Sequence, residues 1–202
     1  MKTYKTLALL LSVAVLMWNC GGKTEEEKAR EEPANALEAI QKMATEAEKT
    51  AKEGPKETVD AKLLKELLPA DADGLKRKEA LSEKTGAMGF NVSTANARYE
   101  NADNSQNIKI SVTDVAGMGV ALMGMAAWSM ASIDKETDNG YEKTTEYDGH
   151  KAYEKYNLSN KDGEISVLVA NRFIVQVEGN GVEMSQIKAV LKEIDLDKLA
   201  KM

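Results

Sequence analysis

Apolar residues follow a helical period in the first third of this chain and a period of two beyond it. From Ala34 to Lys52 the residues are mostly Ala, Glu, Lys and Gln, all good helix formers. Leu37, Ile40, Ala44, Ala47 and Ala51 recur at spacings of three and four, a narrow seam that predicts a solvated helical stalk. Gly54 and Pro55 stop it. Thr58 to Leu68 sets Val59, Leu63 and Leu67 on one stripe and predicts a second short helix, closed by Pro69 and followed by a turn at Asp71–Gly74.

Past Gly74 the alternation is that of strands. Ala95, Ala97 and Tyr99 share one face, and after the polar turn Asn101–Gln106 so do Ile108, Ile110 and Val112. That is a hairpin with one wet face. Asp148-Gly149 is a two-residue hairpin turn. Pairing outward from it sets Tyr147 against His150, Thr145 against Ala152, Lys143 against Glu154 and Tyr141 against Tyr156. Glu146 and Glu142 then meet Lys151 and Lys155, and a one-residue slip would lose every one of these pairs. The last hairpin keeps a continuous apolar face only with a three-residue loop, Ala170-Asn171-Arg172, pairing Val169 with Phe173, Val167 with Val175 and Ile165 with Val177. A closing helix follows, with Met184, Ile187, Val190, Leu191 and Ile194 on one face. Hairpins grouped together, with helices between and after them, predict an α+β fold: an antiparallel sheet packed by a Met/Ala/Gly-rich helix and a C-terminal helix, preceded by the stalk.

The Met/Ala/Gly-rich stretch is Val115–Ile133, which carries no charge. Its glycines permit close backbone approach and its methionines fill irregular gaps, so the leading expectation is a helix covering the sheet. Met118, Met123, Met125, Trp128 and Met130 would form an apolar binding surface if the helix exposes them. Its length also passes the screen for a membrane span, although a crossing would part the strands on either side. Core helix, exposed patch and membrane insertion all stay open from sequence. A thioether site for Cu(I) is disfavoured because the methionines do not gather on one helical face.

The chain has 202 residues and a net charge of −6, with no basic patch, which argues against nucleic acid as a partner. A single cysteine, Cys20, excludes an intramolecular disulfide and a cysteine-based zinc site; a single histidine, His150, excludes multi-histidine metal sites. No G-x-S-x-G, H-E-x-x-H or P-loop motif occurs. Asp134, Glu136, Asp138 and Gly140 resemble the opening of a calcium loop, but the twelfth position is Thr145 where a bidentate glutamate is needed. This stretch reads better as a solvated loop. No catalytic residue, metal ligand or cofactor is assigned.

At the N-terminus Lys2 and Lys5 precede an apolar run, Leu7–Met17, that ends at Trp18-Asn19-Cys20-Gly21-Gly22. The run is too short to span a bilayer and has the layout of a secretory signal. With the only cysteine at its end, the segment resembles a bacterial lipoprotein signal, although Met17, Trp18 and Asn19 depart from the commonest residues there. The resemblance implies that Cys20 becomes the acylated first residue of the mature chain. Gly21, in place of the Asp that retains some lipoproteins at the inner membrane, favours the outer membrane. The organisation expected is a signal peptide at 1–19, a lipidated cysteine and tether at 20–33, the stalk at 34–54 and a globular domain at 55–202. With Lys2 and Lys5 removed and all 33 acids kept, the mature charge is −8. The expected partners are a membrane, through Cys20, and a protein or apolar ligand. The function expected is a non-enzymatic binding or structural module of the cell envelope, facing periplasm or cell surface; the alternative is an envelope hydrolase or a calcium- or copper-binding protein.

Overall fold

A computed structural model describes Thr45 and residues 57–87, 90–116 and 126–202. The stalk expected over 34–54 and most of the methionine segment lie outside the described residues. Among these, helix α1 spans Ala61–Lys65, and its first turn is capped by Asp60, whose carboxylate accepts from the Lys62 amide at 2.9 Å. Nine strands follow: β1 Asp71–Ala72, β2 Leu75–Ala87, β3 Phe90–Glu100, β4 Asn107–Asp114, β5 Asp134–Thr137, β6 Gly140–Tyr147, β7 His150–Asn157, β8 Asp162–Val169 and β9 Phe173–Asn180. Helices α2, Met184–Lys192, and α3, Leu196–Ala200, close the chain.

All nine strands form one antiparallel sheet in the order β1-β2-β3-β4-β9-β8-β7-β6-β5. Two meanders thus meet where β4 pairs with β9. The α+β expectation holds in its coarse form, an antiparallel sheet with a few short helices. The β6–β7 register matches every pair read from the Asp148-Gly149 turn, and the β8–β9 register is the one the three-residue loop requires. Asp148 has φ 48° and Gly149 φ 76°, the left-handed pair of a type I′ turn.

One face of the sheet is the core. Ile108, Ile110, Val112, Ile165, Val167, Val175 and Val177 point toward α1, α2 and α3, which contribute Leu64, Ile187, Val190, Leu191, Leu196 and Leu199, all buried. α2 sits close because Gly163 and Gly179 face each other across β8 and β9. A Cβ on Gly179 would lie 2.8 Å from Ile187 and against Val182, and one on Gly163 would lie 2.6 Å from Tyr156.

Two elements differ from the sequence reading. β2 was not foreseen, because most of it is exposed and six of its thirteen residues are charged. Asp134–Thr137, read within a solvated loop with some likeness to a calcium site, is instead the edge strand β5, paired with β6.

Strand alternation gives the sheet two ends. At the Asp114 end lie the β2–β3 and β8–β9 turns, Asp148-Gly149 and the crossover from β4 to β5. At the Asn107 end lie the turns at Asp73-Gly74, 101–106, Asp138-Asn139, 158–161 and Asn180-Gly181. The crossover leaves and rejoins one sheet at one end, five strand positions apart, about 24 Å at ~4.8 Å per strand. Residues 117–125 of that crossover, on which the membrane-span alternative turns, lie outside the described residues. Among the described residues no helix is long and apolar enough to cross a membrane.

Candidate functional site

Asp114 ends β4 fully buried, which a carboxylate tolerates only when its charge is matched. Its Oδ1 and Oδ2 accept from Arg172 Nε at 2.8 Å and Nη2 at 2.7 Å, a bidentate pair. The Val59 and Ala116 amides donate to the same carboxylate, each at 2.7 Å. Arg172 also donates to the Glu57 carbonyl at 3.1 Å and stacks over Phe173 at 4.8 Å. Ser93 and Thr58, both buried, share a 2.9 Å hydrogen bond. Residues 57–59 are thus fixed to the Asp114 end of the sheet.

Trp128 and Met130 are the two residues of the sequence-predicted apolar surface that the structure describes; Met118, Met123 and Met125 lie outside the described residues. Both sit in a 3₁₀ turn, Ala127–Met130. Trp128 is half-buried, stacked on Tyr153 at 6.0 Å between ring centroids, and packs with Ala126, Leu168 and Ile174. Its indole Nε1 is buried, with no hydrogen-bond partner among the described residues. Met130 is 38% exposed, and Ala127, Ala131 and Ser132 beside it are exposed. The turn is held down by Lys151 Nζ, which donates to the Ser129 carbonyl at 3.0 Å.

The turn rests on the face opposite the core, whose side chains sort into rows across the strands. Next to the row of Glu100, Asn107 and Asn180 runs one of Glu79, Arg98, Lys109, Glu178, Glu164, Lys155, Glu142 and Lys135, one residue from each of eight strands. The row is net neutral, and Lys109 meets Glu178 at 3.8 Å. The next row is uncharged, with Asn96, Ser111, Gln176, Ser166, Tyr153 and Thr144. The third holds Thr113, Ile174 and Leu168, all buried, in its middle, with Thr94 and Glu83 on one side and Lys151 and Glu146 on the other.

Tyr153 Oη donates to Glu142 at 2.7 Å, a bond that comes in addition to the register pairing of Glu142 with Lys155. Burial first, and that carboxylate second, push the Tyr153 phenol above its ordinary value. On the core face Glu154 is buried and receives Lys188 at 3.0 Å, Lys143 at 3.8 Å and Tyr141 Oη at 3.3 Å. Tyr141 is pushed up to about 12, again by burial and then by Glu154. The Lys143–Glu154 pair was read from the register; Lys188 was not, because it comes from α2, across the fold.

A shallow depression of about 440 Å³ lies at the β5–β8 side, lined among others by Lys135, Glu142, Lys155, Glu164 and Asp162. Its charges come largely from the ladder and face one another. Among the described residues no three His, Cys, Asp or Glu are grouped to hold a metal ion. His150 stands opposite Tyr147 at the start of β7. No family model, curated protein or solved structure matches this chain.

Proposed function

We propose that this chain is a lipid-anchored cell-envelope protein of the outer membrane, facing periplasm or cell surface, whose mature domain is a non-enzymatic binding or structural module. The observation that carries this reading is Cys20, the only cysteine, placed where the apolar signal run gives way to Gly-Gly and a charged spacer. Several acyl chains on one residue make anchoring stable. The segment 34–54 serves as a helical stalk between anchor and domain, in keeping with its composition. The exposed run around Met130 is the described part of the surface offered to a protein partner or apolar ligand.

Detergent phase partitioning of the full chain and of Cys20→Ser, both made in a bacterial host, tests the anchor. The native chain is expected in the detergent phase and the variant in the aqueous phase; a Cys20→Ser chain that stays in detergent refutes the reading.

A further inference from the structure

We propose that the outer edge of β2 docks an extended strand of a partner protein that carries a basic, an apolar and a basic residue at alternate positions. The inference is independent of the anchor. Among the described residues only β1 lies outside β2, and it pairs with Leu75 and Lys76 and no further. A bulge follows between Arg77 and Glu79. From Glu79 to Thr85 the strand is paired with β3 on one side alone, so alternate residues turn N–H and C=O groups outward. Such an edge takes up a further strand through its main chain, and the side chains beside it select which strand.

Those side chains are sorted by face. On the open face stand Glu79, Leu81, Glu83 and Thr85, all exposed. Leu81 is a large apolar side chain left 40% exposed. Among the described residues neither glutamate has an ion-pair partner; Arg98, across from Glu79, pairs with Glu100 at 2.9 Å. On the core face are half-buried Ala80 and Ser82 and exposed Lys84, with Glu57, Asp60 and Lys62 lining the hollow beside it. Of the remaining charges on β2, Lys76 lies opposite Asp71, Arg77 donates to the Pro69 carbonyl at 3.2 Å and Lys78 stands in the bulge. The two charges flanking Leu81 are thus both negative and unpaired. A strand with Lys or Arg, an apolar residue, and Lys or Arg at i, i+2 and i+4 meets all three in either direction.

A second copy fits this edge poorly. Two β2 strands related by a two-fold axis run antiparallel with like faces together. Centred on Leu81 they oppose Glu79 to Glu83, and centred on Glu83 they oppose that residue to itself. Centred on Ser82 they make Glu79 and Glu83 diagonal neighbours, and centred on Ala80 they drive Lys84 against Lys76, where β1 already sits.

The probe is a cyclised hairpin peptide with one strand reading Thr-Lys-Thr-Val-Thr-Lys-Thr; its twin carries Glu in place of both Lys. Fluorescence anisotropy reads binding to the full chain in neutral detergent, and amide hydrogen exchange of residues 79–85 reads where it docks. The Lys peptide is expected to bind, to slow exchange there and to bind less tightly as salt rises. Glu79→Lys combined with Glu83→Lys should weaken it by about tenfold or more and should take the Glu peptide in its place. No binding of the Lys peptide to the native chain, equal binding of the two peptides, or protection away from β2 overturns the proposal. So does exchange in β2 that slows with protein concentration alone, which would make the occupant a second copy.

Discussion

Replacing Arg172 with Met tests the claim that one ion pair fixes residues 57–59 to the sheet. The substitution keeps length and apolar bulk but leaves the Asp114 carboxylate, 0% exposed, without its cation; Arg172 itself is 22% exposed. Removing one partner of a buried pair costs about 3–5 kcal/mol, against about 0–1 kcal/mol for an exposed pair. The partial exposure of Arg172 places the expected loss near the lower bound, about 3 kcal/mol. Urea unfolding of the mature chain with Cys20→Ser, followed by Trp128 emission, measures it, with Lys109→Met as the exposed-pair control. Adding Asp114→Asn removes the stranded charge, so the double variant should be more stable than the sum of the singles allows, by about 1 kcal/mol or more. Limited proteolysis of Arg172→Met should also cut near residues 57–60 before the sheet unfolds. A loss within about 1 kcal/mol of the Lys109→Met control would refute the reasoning.

The close seat of α2 predicts that Gly179→Ala destabilises the domain by about 1–3 kcal/mol, read as a lowered Tm. Ile187→Val in the same chain should recover part of it, because Ile187 is one of the side chains the new methyl meets. Tyr99, Tyr141, Tyr147, Tyr153 and Tyr156 are all raised, each chiefly by burial. The unfolded chain ionises these phenols near 10, so stability is full below that pH. It should fall as pH rises from about 10 toward the Tyr141 value of about 12. Ultraviolet titration should show tyrosinate appearing late and together with loss of structure; a smooth rise near pH 10 in the folded protein contradicts it.

Much of the sheet was legible because local chemistry specified its register. Asp148-Gly149 names its own turn, and the rule that apolar faces stay continuous was enough to choose the loop at Ala170–Arg172. Both devices act between residues close in sequence. β2 escaped because it lies near the sheet's edge, where residues such as Lys78, Glu83 and Lys84 are exposed and no apolar alternation is required. A trace of period two survives in half-buried Ala80 and Ser82. β5 escaped for the same reason, since all four of its residues are exposed. The Asp114–Arg172 pair joins residues 58 apart and Lys188–Glu154 residues 34 apart, and nothing local marks either partner. Trp128 was placed in the right segment, but its stacking on Tyr153 depends on a crossover whose landing site only the strand order reveals.

The intact mass of the protein purified from bacterial membranes tests the lipid anchor most directly. Lipidation predicts a chain that begins at Cys20 and carries the added mass of several acyl groups. A mature chain with an unmodified Cys20, or one that begins at another residue, would contradict it.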